Sequence, residues 1–300
     1  MATPRENIES SPASGAVIHR VGVVVHPARD IDAPLRAVRR WTARHDAELV
    51  QITLPGRQRR VAEEGRAHEC ELLVSIGGDG TMLAATRAAM NVNRPVLGVA
   101  CGSLGVLTSV AVEGVASALE RFERDDWVPR RLSALEVTRA EGDSFLALND
   151  IAIVRAGQGQ IRATATLDGT IFGRFAGDGC IVSTPIGSSA YALAAGGPLI
   201  TPDVNAFLLT PLTVHGGFCP PLVISGRSRL QLETNAARSG ARVEVDGQVS
   251  DLQVTTLRIG LRAEVGTVVT FADQESLLAG LRTRGVIADS PRIVADDGRL

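Results

Sequence analysis

Apolar positions along the chain follow two different rhythms. Between residue 17 and about residue 127, near-continuous apolar runs of strand length alternate with segments spaced at helical intervals. "VIHRVGVVVH", "AELVQITL", "ELLVSI" and "RPVLGVA" read as strands buried on both faces, and "PLRAVRRWTARHD", "TMLAATRAAM" and "VEGVASALERFERDD" as helices. Such alternation predicts a parallel sheet covered by helices, with ligands at the carboxyl ends of its strands. After Trp127 short β-rich runs follow one another: "LSALEVTRA", "FLALNDIAIVRA", "IRATATLDGTIFGRFAG", "LVISGRSRLQLE", "ARVEVDGQVS" and "VTTLRIGLRAEVGTVVTF". The Asp-Gly pairs in "LDGT" and "VDGQ" are hairpin signals, and the composition predicts a sandwich-like β domain. One polar turn, "STPIGSSAYALAAGGPL", interrupts it and leads into a small-residue helix, and "ADQESLLAGLRTR" predicts a closing helix. Residues 1–16, rich in Ser, Pro, Glu and Ala without periodicity, read as a disordered leader. The expected organisation is therefore a leader (1–16), an α/β domain (17–127), a β-rich domain (128–272), and a closing helix and tail (273–300).

Composition narrows the functional classes. The chain has 300 residues, 45% hydrophobic and 21% charged, which is ample for a sizeable core. Net charge is −2 with no basic tract and only 3% aromatics, which argues against nucleic-acid and membrane-surface partners. No apolar stretch reaches the roughly 18 residues of a membrane span, so a soluble, cytoplasmic protein is expected. All 31 basic residues are arginine, which removes any Walker A or Schiff-base lysine. Cys70, Cys101, Cys180 and Cys219 lie too far apart for a CxxC unit and read as small buried hydrophobes. His19, His26, His45, His68 and His215 are dispersed without metal-ligand spacing, and Ser188 lies outside a Gly-x-Ser-x-Gly elbow.

Candidate chemistry gathers at a few turns. Gly77, Gly78 and Gly80 form the turn between a strand and a helix that begins near Thr81, where free amides and close backbone approach suit a phosphate. Asp79 would repel that ligand, so it either caps the helix or meets a cation or a hydroxyl proton. A second Gly-rich turn, Cys101-Gly102-Ser103-Leu104-Gly105, falls at the next strand end. Asn149 and Asp150 interrupt an apolar strand, where a polar pair is disfavoured unless something satisfies it, an edge or bulge being the plain alternative. Asp178 sits between Gly177 and Gly179, an arrangement for close approach. Hydroxyls cluster at Ser183-Thr184 and Ser188-Ser189 before Tyr191, with helix capping by Ser188 explaining part of that density.

In this order, Gly-Gly-Asp-Gly-Thr, Gly-x-x-x-Gly-x-Leu-Gly, Leu-Asn-acid, Gly-Asp-Gly with Ser-Thr-Pro-x-Gly-Ser-x-Ala-Tyr, and Asp-Gly-Gln, the motifs resemble the NAD kinases over roughly Val21 to Leu281. Diacylglycerol kinases, sphingosine kinases and phosphofructokinases share the first motif, whereas the Ser183 to Tyr191 stretch is specific. The resemblance implies an N-terminal Rossmann-like α/β domain and a C-terminal β-sandwich-like domain, with an active site between them, in a homodimer or homotetramer. It implies phosphorylation of the adenosine-ribose 2′-hydroxyl of NAD, with ATP or polyphosphate as donor and Mg2+ or another divalent cation. Asp79 then resembles the acid that takes the hydroxyl proton, with Gly77, Gly78, Gly80 and Thr81 as the phosphate loop and Gly80 beside the bound nucleotide. Asn149 and Asp150 match the pair that holds the dinucleotide, and Asp178 the carboxylate near its nicotinamide end. Ser189, Ala190, Tyr191, Ala192, Leu193 and Ala194 match the wall against its adenosine half, and Gln248 the site residue of the Asp-Gly-Gln turn.

Six positions depart from that pattern. Asp150 stands for Glu, Ile186 for a small hydroxyl residue, Ala100 for Asn, Val106 for an aromatic, Ala176 for Arg, and Pro220 for Arg within "VHGGFCPPLVI". Lost hydrogen-bond partners alter discrimination more than lost packing volume, so a related kinase with another nucleotide or nucleoside acceptor, and a non-catalytic dinucleotide-binding protein, stay open beside the NAD kinase reading.

Overall fold

The computed structural model describes residues 17–54, 59–102, 105–108, 110–236, 240–252, 255–291 and 293–294. The leader expected over residues 1–16, the end of the tail, and Ser103 and Leu104 of the second Gly-rich turn lie outside the described residues. The chain divides into two compact units, Met1–Arg130 with Thr267–Leu300, and Arg131–Gly266.

The first unit is α/β. Its elements are β1 (Arg20–Val25), α1 (Asp32–Arg44), β2 (Glu48–Ile52), β3 (Glu63–Gly65), β4 (Leu72–Gly77), α2 (Asp79–Met90), β5 (Pro95–Ala100) and α3 (Val115–Glu123). The strands pair in parallel in the order β5-β4-β1-β2-β3. Parallel strands with helices on both faces must be apolar on both sides, and β4 is accordingly buried at every residue. Helix α1 turns Leu35, Val38, Trp41 and Thr42 inward at helical spacing, and α3 does the same with Val115, Ala118, Leu119 and Phe122. The short edge strand β3 carries Glu63 and Glu64, too little apolar signal to be read from sequence.

The second unit is antiparallel β. It contains β6 (Val128–Arg139) from Arg131 onward, β7 (Ser144–Ala147), β8 (Asp150–Arg155), β9 (Ile161–Leu167), β10 (Thr170–Gly177), β11 (Gly179–Ser183), the short helix α4 (Tyr191–Ala194), β12 (Ala206–Leu212), β13 (Leu222–Ser225), β14 (Leu230–Ala236), β15 (Ala241–Val245) and β16 (Gln248–Ser250). A long strand, β17 (Thr256–Thr270), pairs with β14 through Thr256–Ile259; its end from Thr267 belongs to the first unit, and there Thr267 and Val268 pair with β5. The closing helix α5 (Leu277–Thr283), capped by Ser276, also belongs to the first unit.

Within the second unit a six-stranded sheet, β13-β12-β11-β8-β15-β16, faces strands β9, β10, β14, β17 and β6. Ile151, Ile153, Val182, Phe207 and Val243 from one layer meet Val137, Ile161, Ala163, Leu232 and Ile259 from the other in a common core, which is a sandwich. Both Asp-Gly hairpins form, with Asp168 at φ 48° before Gly169 at 85°, and Asp246 at 49° before Gly247 at 73°.

Three sequence expectations change. "FLALNDIAIVRA" is not one strand but β7 and β8, which lie in different layers with a break at Leu148-Asn149. "LVISGRSRLQLE" likewise splits into β13 and β14. Two inner strands, β11 and β12, were not anticipated: "AFLLTPL" carries Pro211, which ordinarily argues against an inner strand. Pro211 is tolerated because β13 pairs only with Ala206–Leu209, so that stretch has a single neighbour, β11.

Candidate active site

The turns that follow β1, β4 and β5 lie side by side, since β4 pairs with both neighbours and the amides of His26 and Cys101 donate to Ile76 O and Gly77 O at 2.9 Å each. This is the carboxyl edge of a parallel sheet, where a ligand site is expected. Gly78 is the N-cap of α2 and supplies no side chain, so Asp79 is not the helix cap. Instead its carboxylate crosses to the loop after β5, where Oδ2 accepts the Val106 N–H and Oδ1 the Leu107 N–H, both at 2.9 Å. Gly105 is required by this contact, because a Cβ there would lie 2.0 Å from Asp79 Oδ1. Gly77 is required by another neighbour, since its Cβ would meet Thr81 Oγ1 at 2.3 Å. Thr81 is thus buried against the strand, which leaves Gly80, with nothing within 4 Å of a Cβ, as the open part of the turn.

Arg29 joins this edge without any motif to announce it. Its Nη1 donates to Cys101 O at 3.2 Å and would lie 3.6 Å from a Cβ on Gly78. Its backbone is held by the His26 ring, whose Nδ1 accepts the Ala28 and Arg29 amides at 3.1 and 3.0 Å. The signal that marks Arg29 is its place at the end of β1, which sequence spacing does not reveal.

In the second unit, Asn149 and Asp150 meet the Ser-Thr-Pro segment and the Asp-Gly-Gln turn. Thr184 Oγ1 donates to Leu148 O at 2.7 Å, and the Thr184 amide donates to Asn149 O at 2.8 Å. Gly187 presses so closely that a Cβ would lie 1.9 Å from Asn149 O. Asp246, read from sequence only as a hairpin residue, accepts three amides in succession: Leu148 at 3.0 Å, Asn149 at 2.6 Å and Asp150 at 3.1 Å. It thereby fixes the break between β7 and β8. Asn149 Oδ1 is buried with no hydrogen-bond partner, a state that costs ~1–3 kcal/mol unless a ligand donates to it. Asp150 is 5% exposed, and burial, then the charges of Asp246 and Glu244, push its carboxyl up to about 7. Gln248, at the start of β16 beside this turn, is exposed.

Ser188 does not cap a helix. Its hydroxyl donates to Pro185 O at 2.6 Å and accepts the Ile200 N–H at 2.9 Å, which pins the loop from inside. Ser189 Oγ donates to Ile186 O at 2.8 Å. Ala190 and Ala194 are exposed, Leu193 is half-buried, and Tyr191 presents 39% of its surface at the first position of α4. Ala192 points the other way, fully buried against Ala152, Ile181 and Leu208, so it serves the core and not a ligand wall.

Asp178 is set apart from this group. It lies opposite Arg155, whose Nε donates to its Oδ1 at 2.6 Å, while Asp150 begins the same strand. Five residues of extended chain place the two acids about 17 Å apart along β8. The flanking glycines answer to the neighbouring strands: a Cβ on Gly177 would meet Leu212 O at 2.4 Å, and one on Gly179 would meet Ile153 O at 1.9 Å. Near that end, Ala176 and His215 line a cavity of about 710 Å³ with Arg162, Arg174 and Glu233, and His215 Nδ1 is paired with Gln160 at 2.5 Å.

All four cysteines are free. Cys70 and Cys180 are buried, and desolvation pushes their thiols up to about 11 and about 12, but Cys101 and Cys219 are partly exposed, contrary to the sequence reading. Among the described residues no three His, Cys, Asp or Glu side chains gather as a metal site, and no helix is long and apolar enough to cross a membrane.

The family model of the ATP-NAD kinase N-terminal domain matches residues 20–127, and that of the ATP-NAD kinase C-terminal domain residues 148–260, together well over half the chain. The chain belongs to the NAD kinase family. Among NAD kinases, that of Heliobacterium modesticaldum is 38% identical over 188 residues, 61% of this chain and 66% of the relative, just under two thirds of its length. That of Clostridium beijerinckii is 30% identical over 238 residues, covering 77% and 82%. Mycobacterium tuberculosis NAD kinase is 35% identical over 214 residues, covering 70% and 68%. Yeast NADH kinase, solved with NADH, shares the fold at a TM-score of 0.75 and 21% identity over 94% of each chain. The Archaeoglobus fulgidus NAD kinase, solved with ATP, has a TM-score of 0.67 and 25% identity over 89% of this chain and 96% of that one.

Three of the six departures have local accommodations in this chain. Val106 needs only its amide to serve Asp79. Ala100 and Ile186 are buried, at 1% and 8% exposure, so each packs as a core residue in place of the polar group that the family pattern leads one to expect.

Proposed function

We propose that this kinase transfers the γ-phosphoryl group of ATP to the adenosine-ribose 2′-hydroxyl of NAD, giving ADP and NADP. The observation that carries the reading is Asp79, a carboxylate fixed by two amides at the first residue of a helix, at the carboxyl edge of a parallel sheet. An acid at that place has a use if a hydroxyl must lose its proton there. Asp79 accepts the 2′-hydroxyl proton, the ribose oxygen forms its bond to the γ-phosphorus, and the bond to the β,γ-bridging oxygen breaks to release ADP. The amides around Gly78 and Gly80, with Arg29, hold the donor phosphates. Among the described residues no cluster of side chains would hold a divalent cation, so one carried in with ATP would supply neutralisation of phosphate charge. The bound ATP of the Archaeoglobus relative supports this donor.

For the acceptor, Asn149 Oδ1 supplies a buried acceptor for the adenine amine, and Asp150 and Gln248 bind polar groups of the dinucleotide. Ser189, Ala190, Tyr191 and Ala194 give the surface for its adenosine half. Asp178 is assigned to the nicotinamide end by family resemblance alone. The bound NADH of the yeast relative brings NADH in as a second candidate acceptor. A homodimer or homotetramer in the cytoplasm completes the reading.

The test is incubation of purified protein with ATP, Mg2+ and a panel of NAD, NADH, nucleosides and mononucleotides, each product being identified by mass. NADP from NAD is the expected result. Phosphorylation of another acceptor with none of NAD would end the proposal.

A further inference from the structure

The loop that Asp79 holds is also one wall of a second, smaller space. In the first unit, Val106 and Thr108 of that loop, Arg130, and Gln274, Leu277 and Arg284 of the closing segment enclose about 190 Å³. Nucleotide-sized ligands fill several hundred Å³, so this volume suits a small ion.

Two polar side chains of this wall, Thr108 and Gln274, are left as donors by the bonds they already make. Thr108 Oγ1 accepts the Gly105 N–H at 2.5 Å, which leaves its own proton to give. Gln274 Oε1 accepts the Phe271 N–H at 3.3 Å, which leaves the amide NH2. The Glu275 carboxylate, on the same wall, accepts the Thr283 hydroxyl at 2.9 Å, and Arg130 adds a positive charge beyond that of Arg284. Arg130 is the decisive group. Arg130 is half-buried, its desolvation lowers its affinity for a proton, and among the described residues no carboxylate acts on it to offset that loss. Nearby Arg121 shows the ordinary solution, held by both Asp126 and Asp273. A desolvated guanidinium without a counter-charge is costly unless a ligand brings one, and a guanidinium matches the paired oxygens of a phosphate.

We propose that Arg130, Arg284, Thr108 and Gln274 form a binding site for a small phosphate-class anion, inorganic phosphate or pyrophosphate, against the loop that positions Asp79. Occupancy ties the closing segment to residues 105–108. The site stands independently of the kinase reading, because binding needs neither NAD nor turnover.

The experiment is calorimetric and thermal titration of the full chain with phosphate and with pyrophosphate at constant ionic strength, on the parent, Arg130→Met and Arg29→Met. The parent should gain thermal stability with either anion. Arg130→Met should melt no lower than the parent without anion, since a half-buried charge without a counter-charge has been removed. It should bind the anion about tenfold or more weakly, the effect of losing a charge-assisted partner. Arg29→Met should weaken only anion binding at the donor turn and keep the component of the response that Arg130→Met loses. Anion binding lost in Arg29→Met but retained in Arg130→Met would put the ion at the Gly-Gly-Asp-Gly turn and overturn the proposal. An equal response to malonate would overturn the phosphate assignment. A lower melting temperature for anion-free Arg130→Met would show a structural arginine and likewise overturn it.

Discussion

Asp246 and Asn149 are 97 residues apart in sequence, yet Asp246 Oδ1 accepts the Asn149 amide at 2.6 Å. The same carboxylate takes the amides on either side, and the Asp246 amide returns a bond to Asp150 O at 2.9 Å. One acid thus shapes the chain where it leaves one sheet layer for the other and where the acceptor-binding pair is proposed. Removing it as Asp246→Ala should cost roughly 1.5–3 kcal/mol, the range for hydrogen bonds to a charged group. Asp246→Asn should lose less stability, because one oxygen remains, but should raise KM for NAD several-fold with KM for ATP unchanged. Urea melts and initial rates on both variants check this, and an unchanged KM for NAD would make Asp246 structural only.

Asp79→Asn should reduce single-turnover phosphoryl transfer by ~10²–10⁴ while NAD affinity stays within a few-fold, the usual span for loss of a general base. Its amide nitrogen, however, would face either the Val106 or the Leu107 N–H, donor against donor. Some loss of stability is therefore expected, and a thermal melt must accompany the rates. A variant destabilised but still turning over at the parent rate would show that the acid is only a loop clamp.

Much of the fold was legible because its signals are local. Apolar runs between glycines marked β1, β4 and β5, and Asp168-Gly169 and Asp246-Gly247 marked hairpins that form with the left-handed backbone those residues favour. What was missed depends on distant partners. The break at Leu148-Asn149 is made by Asp246, and Pro211 is admitted by the short reach of β13; neither condition is written near the residue it affects. The same holds at the proposed site. Gly-Gly-Asp-Gly announced Asp79, but its grip on residues 106 and 107, and the arrival of Arg29 from the end of β1, follow from strand order. The glycines around Asp178 answer to neighbouring strands, and a glycine that admits a ligand and one that admits a strand look alike in sequence.

Asp150 gives a pH dependence. Its folded carboxyl titrates near 7, raised by burial and then by Asp246 and Glu244, whereas an unfolded chain titrates it near 3.8. Between those values the native state holds a proton that the unfolded state has released, so stability is greatest below the unfolded value and is lost as pH rises through about 7. Asp150→Asn carries no such charge and should remove that decline. Its melting temperature relative to the parent should therefore climb between pH 5 and pH 8.5. Parallel curves for the two proteins across that range would show that Asp150 titrates normally.

Gly80 separates what the fold needs from what the donor needs. It is the second residue of α2, its φ lies outside the left-handed region, and a Cβ there would have nothing within 4 Å. Nothing in the protein's own packing therefore calls for glycine at this place. Alanine in a helix is favoured over glycine by about 0.5–1 kcal/mol, less at an end, so Gly80→Ala should melt at or slightly above the parent temperature. If the open backbone is where the donor phosphates approach, the added methyl group occupies that space and KM for ATP should rise about tenfold or more, while NAD binding measured without ATP stays unchanged. Gly105→Ala supplies the contrast, because its Cβ would strike the Asp79 carboxylate and should lower both stability and turnover. A Gly80→Ala protein that is more stable and uses ATP as well as the parent would move the donor phosphates away from this turn.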